Sequence, residues 1–350
     1  MTEKPRAMRD ALLERIWEVM GHEAGVFFIS ADFGSPVLDR IRGDFPDRFV
    51  NVGIAEQNLI NVSAGLALEG YTVFAYAIAP FITMRCCEQI RVNLAMLSKA
   101  RRMNVNLIGV GAGYSYVVSG PTHQCYEDIS IMRAFPNMTI LSPSDHISAA
   151  GLLERCLSKD SPKYLRLDAQ VLPTIYDPVC PDASSGFHVH GEETDICIVA
   201  TGYMVHTALK VAATLKEGGV SLSVVDLFDL TGFDRSRLLS ALNPCSGIVT
   251  MEEGFRGCGG LDAMLFDFLN ANGYRNPILN CGVEGGYRFD LGTRAELHEQ
   301  VGIGPEVMTR KIRDFAQRLD TGGIALRHGR IPNSERIQSP IAVARNDEKA

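Results

Sequence analysis

The sequence lacks any long, uncharged apolar stretch. No run approaches the roughly 20 residues that a helix needs to span a bilayer, and the N-terminus, MTEKPRAMRDALLERIWEVM, has no apolar segment typical of a secretory signal. Clusters of basic residues are also missing, and 34 Lys and Arg against 41 Asp and Glu give a net charge of -7. This pattern does not favour nucleic acid or an anionic membrane as a partner. We therefore expect a soluble, cytoplasmic protein that binds small molecules or other proteins.

Cysteine pairing motifs are missing as well. The nine cysteines include no C-x-x-C pair and no spacing typical of a small disulfide scaffold. We expect them to be reduced residues of the core. The chain has 350 residues, of which 46% are hydrophobic, so it can bury a large core and is expected to form two domains.

Strand-like and helix-like segments alternate along most of the chain. The pattern predicts helices at 8–20, 82–101 and 145–159, with strands such as GVFFIS and YTVFAYAI between them. Such alternation favours an α/β fold with a mostly parallel sheet that is covered on both faces.

The alternation stops at PTIYDPVCPDASSGFHVHGEET, which has the composition of a linker, and then starts again. We therefore predict two mostly parallel-sheet domains, at residues 1–180 and 190–320, and a tail at 321–350 without periodicity.

Two further motifs favour structure over chemistry. The glycine runs GVGAG and GFRGCGG resemble nucleotide-binding loops loosely, but neither is followed at the right distance by a ribose-binding acid, so close packing explains them better. HVH at 188–190 could offer two imidazoles to a metal, but no third ligand group is evident nearby in the sequence. Exposed histidines on a linker strand are the simpler interpretation.

Polar and aromatic residues follow several predicted strands at their carboxyl ends. Glu56 opens an apolar helix after strand 48–53, Phe81 follows strand 71–78, and a Gly-Pro turn precedes His123. Loops at this edge of an α/β sheet line a ligand crevice. An acid in the first turn of a helix also complements the helix dipole, so the position of Glu56 alone does not decide its role.

Longer segments carry a family resemblance. FPDRFVNVGIAEQNLINVSAGLALEGYTVFAY, followed by GPTHQCYEDISIMRAFPNMTILSPSD, resembles the pyrimidine-binding domain of the transketolase family, which includes 1-deoxyxylulose-5-phosphate synthase. ICIVATGYMVHTAL and TMEEGFRGCGG are similar to the C-terminal domain of that family. The resemblance covers roughly residues 8 to 320.

This resemblance implies the cofactor thiamine diphosphate, which stabilises a carbanion at its C2 atom. The carboxyl group of Glu56 would lie beside N1′ of the pyrimidine and favour its imino tautomer, Phe81 would stack on the ring, and Asp32 would lie on the cofactor side. His123 would be the second catalytic residue and exchange protons near the substrate hydroxyls.

On the substrate side, the resemblance implies that Arg166 holds a sugar phosphate through its planar guanidinium. His123, Arg9 and Ser35 would also contact the substrate. Ser119 stands where the family usually has an acid, and GVGAGYSY lacks the family's phosphate-binding histidine. These departures leave the identity of the sugar open.

One expected motif is absent. The family binds the diphosphate through Mg²⁺, which prefers octahedral oxygen ligands. A G-D-G-type motif supplies these ligands in the family, and this chain lacks that motif. The resemblance thus implies the C-terminal subunit of a split transketolase, which transfers a two-carbon ketol unit from a ketose to an aldose. An N-terminal diphosphate-binding subunit would supply the metal ligands, and this chain would supply none. The two kinds of subunit would form a two-plus-two heterotetramer, whose substrate would be a sugar phosphate.

Three alternatives stay open. The β subunit of a 2-oxoacid dehydrogenase E1 component has the same two domains, but it usually carries a Q-H-S-Q-type loop where this chain has PTHQ. A split 1-deoxyxylulose-5-phosphate synthase would use pyruvate as its donor, and GIAEQ is closer to that group than to G-I-R-E-H. A non-catalytic subunit would need none of Glu56, Phe81, His123 and Arg166.

Overall fold

The first sheet is fully parallel among its described strands. A computed structural model describes residues 4–32, 34–158, 160–176, 182–192 and 194–328, with side chains as far as 319. The strands of this sheet are β1 (Val26–Ser30), β2 (Phe49–Asn51), β3 (Thr72–Ile78), β4 (Val105–Val110), β5 (Thr139–Leu141) and β6 (Lys163–Leu167). Their spatial order is β2-β1-β3-β4-β6-β5.

The second sheet is parallel except at one edge. Its strands are β7 (Phe187–His190), β8 (Ile196–Ala200), β9 (Ser223–Leu227), β10 (Gly247–Phe255) and β11 (Ile278–Val283). The order is β11-β10-β8-β9-β7, and β7 alone among these strands runs antiparallel. The predicted α/β class with two mostly parallel sheets is confirmed.

Helices surround both sheets. Those of the first half are α1 (Met8–His22), α2 (Pro36–Asp44), α3 (Glu56–Leu68), α4 (Cys87–Gln89), α5 (Asp128–Arg133), α6 (His146–Gly151) and α7 (Leu153–Ser158). Those of the second half are α8 (Met204–Glu217), α9 (Arg235–Leu242), α10 (Leu261–Ala271), α11 (Arg294–Gln300) and α12 (Pro305–His328).

Both faces of the first sheet are covered, as its continuous apolar strands require. Phe28 of β1 packs with side chains of α1, whereas the next residue, Ile29, packs with side chains of α3. Successive strand residues point to opposite faces, so these two contacts place helices on each side. Loops at the carboxyl edge of such a sheet are where functional groups can lie.

Two predicted helices are interrupted. Residues 82–101 are helical for most of their length, as predicted, but they form π-helical turns at Phe81–Arg85 and Ile90–Met96 with α4 between them. A π-helix differs from an α-helix in bonding residues five instead of four apart, which a short apolar pattern does not reveal. Residues 145–159 likewise divide into α6 and α7, with residue 159 outside the described residues.

The chain ends were predicted less well than the sheets. Helix α12 continues to His328, past the predicted start of a tail at 321, and residues 329–350 lie outside the described residues. The domain limits at 1–180 and 190–320 stay a prediction. The first sheet ends at Leu167 and the second begins at Phe187.

The described cysteines are mostly core residues. Eight of them are described, all free, and six are buried. Cys87 is half-buried and Cys258 is exposed, so the expectation of core residues is wrong for these two. Within the described part of the chain, no helix is both long enough and apolar enough to cross a membrane.

Candidate active site

Glu56 is a buried acid at the start of a helix. It is the first residue of α3, only 3% exposed, and its Oε2 atom accepts a hydrogen bond from Nη1 of Arg85 at 2.5 Å. A favourable helix dipole contributes about 0.3–1 kcal/mol, whereas burying a carboxylate costs several kcal/mol before pairing. Dipole compensation would be served as well by an exposed acid. The burial of Glu56 therefore favours a chemical role.

Phe81 and Glu56 are 25 positions apart in sequence, and Arg85 contacts both of them. Phe81 opens the π-helical turn that follows β3 and is half-buried. The guanidinium carbon of Arg85 lies 4.6 Å from the centroid of its ring, and the centroid of the His123 ring lies 5.2 Å away. One aromatic ring thus contacts both an arginine and a histidine.

His123 comes from the loop after β4. The backbone turns at Gly120, which has a φ of 70°, and the amide of His123 donates to the carbonyl of Gly120 at 3.1 Å. The Nδ1 atom of His123 lies 3.0 Å from the hydroxyl of Thr122, and its ring edge faces Tyr116. Three loops, from the carboxyl ends of β2, β3 and β4, therefore bring Glu56, Phe81 and His123 to one edge of the sheet, where ligands bind in α/β folds.

Asp32 lies at the same edge, after β1. It has a φ of 53°, in the left-handed region that non-glycine residues rarely adopt. Its side chain accepts from the amide of Asn51 at 3.0 Å, and its own backbone N–H donates to Asn51 at 3.1 Å. A strained, exposed acid at a sheet edge is typical of functional sites, which is compatible with the predicted position on the cofactor side.

The two remaining residues assigned to the substrate side have structural partners. Ser35 is 6% exposed and caps α2, since its Oγ atom accepts from the backbone N–H of Leu38 at 3.1 Å. Arg9, on α1, pairs with Asp10 at 2.8 Å. Burial alone would lower the pKa of Arg9, but its contacts with Asp10 and Tyr76 raise that pKa overall. Neither residue is shown to contact a substrate, so both roles stay predictions.

Arg166 is a buried strand residue with partners inside the protein. It is 2% exposed on β6, and its guanidinium donates to Asp128 at 2.8 Å and to the carbonyl of Glu253 at 3.2 Å. Burial would lower the pKa of Arg166, but Asp128 and other neighbours raise it overall. The Nε and Nη2 atoms of Arg166 thus have partners inside the protein, and its role in holding a sugar phosphate stays a prediction.

A second charged cluster, which the sequence reasoning missed, joins the two halves. Arg294 on α11 donates to Glu253 on β10 at 2.5 and 2.9 Å and pairs with Asp168 at 2.6 Å, while His298 contacts Glu253 at 2.5 Å. Burial would raise the pKa of Glu253, but Arg294 and His298 hold it far below its usual range. This interdomain cluster is buried, and its ion pairs link the two halves of the protein. It consists of Asp168, Glu253, Arg294 and His298.

The glycine motifs serve this packing. A Cβ atom on Gly113 would lie 2.0 Å from a carboxylate oxygen of Glu253, and one on Gly260 would lie 2.1 Å from a carboxylate oxygen of Glu252. Both glycines therefore allow close approach by an acid, which supports the packing interpretation over a nucleotide loop.

His188 and His190 lie on the edge strand β7. His190 contacts the hydroxyl of Tyr176 at 3.3 Å, and burial lowers the pKa of His190 to about 4. Among the described residues, no group of three or more His, Cys, Asp or Glu side chains is placed to hold a metal ion.

Two mostly parallel sheets define an α/β protein, and the acid, aromatic ring and histidine on loops at one carboxyl edge form a candidate small-molecule site. Family models for the transketolase pyrimidine-binding domain and the transketolase C-terminal domain match residues 4–174 and 186–312. The chain belongs to the transketolase family and carries these two of its domains.

Individual relatives agree. A subunit of an apulose-4-phosphate transketolase from Actinobacillus succinogenes is 31% identical over 74% of this chain and 82% of that protein. A 1-deoxy-D-xylulose-5-phosphate synthase from Parasynechococcus marenigrum is 30% identical over 82% of this chain but only 43% of that protein. A solved split gene transketolase, described as an inactive beta4 tetramer, is 28% identical with a TM-score of 0.78, covering 89% of this chain and 98% of that chain.

Proposed function

We propose that this chain is the C-terminal subunit of a split, thiamine diphosphate-dependent transketolase that moves a two-carbon ketol unit from a ketose to an aldose. The observation that carries the proposal is the buried acid Glu56, which shares the neighbour Arg85 with the ring of Phe81 in a transketolase-family domain. The coverage supports a separate subunit, since the chain spans 98% of a split-gene chain and 43% of a full-length synthase.

The residues present fit the pyrimidine half of the cofactor. A buried carboxyl group suits a ring nitrogen that must exchange a proton, and a half-buried aromatic ring suits a planar ligand. We propose that Glu56 holds a proton at N1′ and that Phe81 orients the ring. The bound cofactor would supply the carbanion that accepts and donates the ketol unit.

His123 is proposed to act on the substrate. Its Nδ1 atom lies 3.0 Å from the Thr122 hydroxyl, which orients the ring and leaves Nε2 to exchange a proton with a sugar hydroxyl. Asp32 is proposed to lie on the cofactor side. A sugar phosphate is proposed as the substrate, and the role of Arg166 in holding its phosphate stays a prediction.

The diphosphate and Mg²⁺ are proposed to bind a partner. This chain has no G-D-G motif, and Mg²⁺ needs several oxygen ligands in octahedral geometry. We propose an N-terminal subunit with that motif, joined to this chain in a two-plus-two heterotetramer. The apulose-4-phosphate relative is named as one subunit of its enzyme, which supports a partner for this chain.

Calorimetry tests this division of the site. Thiamine diphosphate and Mg²⁺ are titrated into this chain, into a candidate N-terminal subunit that carries G-D-G, and into their mixture. We expect tight binding and ketol transfer only in the mixture. Micromolar, Mg²⁺-dependent binding to this chain by itself would contradict the proposal.

The second candidate is a split 1-deoxyxylulose-5-phosphate synthase, which the 30% identity to the Parasynechococcus enzyme favours. The two candidates differ in the donor. The mixture is offered pyruvate or a ketose with the same aldose acceptor, and release of CO₂ from pyruvate would identify the synthase.

A further inference from the structure

One side chain, Arg85, contacts both groups that are proposed to hold the pyrimidine. Its Nη1 atom donates to Oε2 of Glu56 at 2.5 Å, and its guanidinium carbon lies 4.6 Å from the centroid of the Phe81 ring. An aminopyrimidine would use the same two features, by stacking on an aromatic face and by hydrogen bonding to a carboxyl group. The guanidinium of Arg85 and the pyrimidine ring would therefore occupy the same position against Glu56 and Phe81.

We propose that Arg85 is a plug that fills the pyrimidine position in the chain without its cofactor and must leave Glu56 and Phe81 before the cofactor binds. The inference rests on the proposed function, because that proposal assigns the pyrimidine ring to Glu56 and Phe81. It adds a self-occluding residue that sets how tightly the cofactor binds.

The local helix geometry explains why Arg85 reaches Phe81. Residues Phe81–Arg85 form a π-helical turn after β3. Residues four apart lie on the same face of a helix, so the side chain of Arg85 reaches the ring of Phe81. Such π-helical turns are frequent at functional sites.

The backbone of the turn is anchored while the arginine side chain is open to solvent. The side-chain amide of Gln57 on α3 donates to the carbonyl of Arg85 at 3.1 Å, and the hydroxyl of Thr83 donates to the carbonyl of Ala79 at 2.7 Å. The side chain of Arg85 is 45% exposed, whereas that of Glu56 is 3% exposed. Arg85 can therefore rotate into water without moving the turn or the acid.

The strength of the plug follows from this exposure. A half-exposed ion pair and an exposed cation–π contact are each weak, because water competes for the guanidinium. Arg85 should thus weaken cofactor binding without preventing it. We expect its removal to tighten binding about 10-fold, a factor that corresponds to about 1.4 kcal/mol.

The test measures cofactor affinity and not turnover. Thiamine diphosphate with Mg²⁺ is titrated by calorimetry into this chain combined with its N-terminal partner, as wild type, Arg85→Ala and Arg85→Met. Arg85→Met keeps most of the side-chain length without the charge, and it provides a second variant should Arg85→Ala fold poorly. Arg91→Ala, which removes an exposed arginine from the neighbouring π-helical turn at Ile90–Met96, is the matched control.

The outcomes separate the plug from the proposed function. Tighter binding by both Arg85 variants, with Arg91→Ala equal to wild type, supports the plug. Wild-type binding together with unchanged or weaker binding by the Arg85 variants overturns the plug and leaves the proposed function intact. Absence of binding by the wild-type mixture overturns the proposed function, and the plug with it.

Discussion

Two carboxylate–arginine pairs in this molecule have the same chemistry and different surroundings. Glu56 pairs with Arg85, and Glu253 pairs with Arg294, each with a closest distance of 2.5 Å. The side chain of Arg85 is 45% exposed and that of Arg294 is 4% exposed. Distance therefore does not distinguish the pairs, whereas burial of the arginine separates a contact that can open from one that is fixed.

Magnitudes make the same distinction. An exposed pair contributes about 0–1 kcal/mol to stability, whereas removing one partner of a buried pair costs about 3–5 kcal/mol. In the edge pair, water can solvate the open guanidinium of Arg85, although Glu56 stays buried. In the interdomain cluster, Arg294 is itself buried and pairs with both Glu253 and Asp168, and Glu253 also contacts His298, so breaking one pair disturbs the others.

The largest effect is expected where the edge acid is neutralised. In the reconstituted enzyme, Glu56→Gln removes the group proposed to exchange a proton at N1′, so deuterium exchange at C2 of the bound cofactor should slow by about 10²–10⁴-fold. The fold should remain, because an edge residue contributes little to the core. Exchange is followed by quenching and NMR.

The matched control separates chemistry from the helix dipole. Glu306 is an exposed acid in the first turn of α12, so Glu306→Gln removes a charge from an equivalent position of another helix. Its exchange rate should equal that of wild type. Wild-type exchange in Glu56→Gln as well would reduce Glu56 to a dipole-compensating residue.

The buried pair should instead control stability. Arg294→Met leaves Glu253 and Asp168 without their shared cation, so the free energy of unfolding should fall by about 3–5 kcal/mol. Urea denaturation followed by circular dichroism measures the change.

Arg256 provides the exposed counterpart in the same half of the molecule. It is 50% exposed and lies 3.6 Å from Glu284, so Arg256→Met should change the unfolding free energy by less than about 1 kcal/mol. If Arg294→Met and Arg256→Met lost the same free energy of unfolding, the proposed difference between buried and exposed pairs would be wrong.

Much of the fold could be predicted because it depends on local patterns. Apolar strands between amphipathic helices predicted the parallel sheets. The clustering of Phe81 and His123 could also be predicted, since the carboxyl ends of parallel strands share one edge. These inferences need the order of the elements and not their detailed packing.

Contacts between distant residues could not be predicted in this way. Arg85 is 29 positions from Glu56, and Arg294 is 41 positions from Glu253. A single sequence gives no signal for which arginine meets which acid, and π-helical turns are hidden within a helix-like pattern. The burial of Arg166 could not be predicted for the same reason, because it involves Asp128 and the carbonyl of Glu253, which are distant in sequence.

Asp226 is a third buried acid, and it differs from Glu56 and Glu253 in its partners. The described groups that donate hydrogen bonds to its carboxylate are hydroxyl groups and not arginines. It accepts from Ser144 at 2.5 Å and from Tyr176 at 2.8 Å, and burial raises its pKa from 3.8 to about 7. The folded protein thus keeps a proton that the unfolded chain releases between about pH 4 and 7. Over this window, Asp226 makes stability fall as pH rises.

Asp226→Asn removes this titration while keeping a hydrogen-bond acceptor. Its unfolding free energy, relative to wild type, should therefore increase with pH between about 4 and 7, by up to about 1.4 kcal/mol per pH unit. Burial also raises the pKa of Glu252 to about 7. Because Glu252 is present in both proteins, its contribution cancels in the difference between their unfolding free energies. Urea denaturation across this range measures the difference, and parallel pH curves for the two proteins would contradict the assignment.

The smallest effect concerns Ser35, which the sequence assigned to the substrate and the structure places at a helix cap. If capping is its role, Ser35→Ala should lower the unfolding free energy by about 1 kcal/mol, and Ser35→Asp should restore it, because both Ser and Asp satisfy the backbone N–H of Leu38. The Michaelis constant for the sugar should be the same in all three proteins. If Ser35→Ala instead kept its stability and bound the sugar markedly more weakly, Ser35 would return to the substrate side and place a second functional group at the edge beside Asp32.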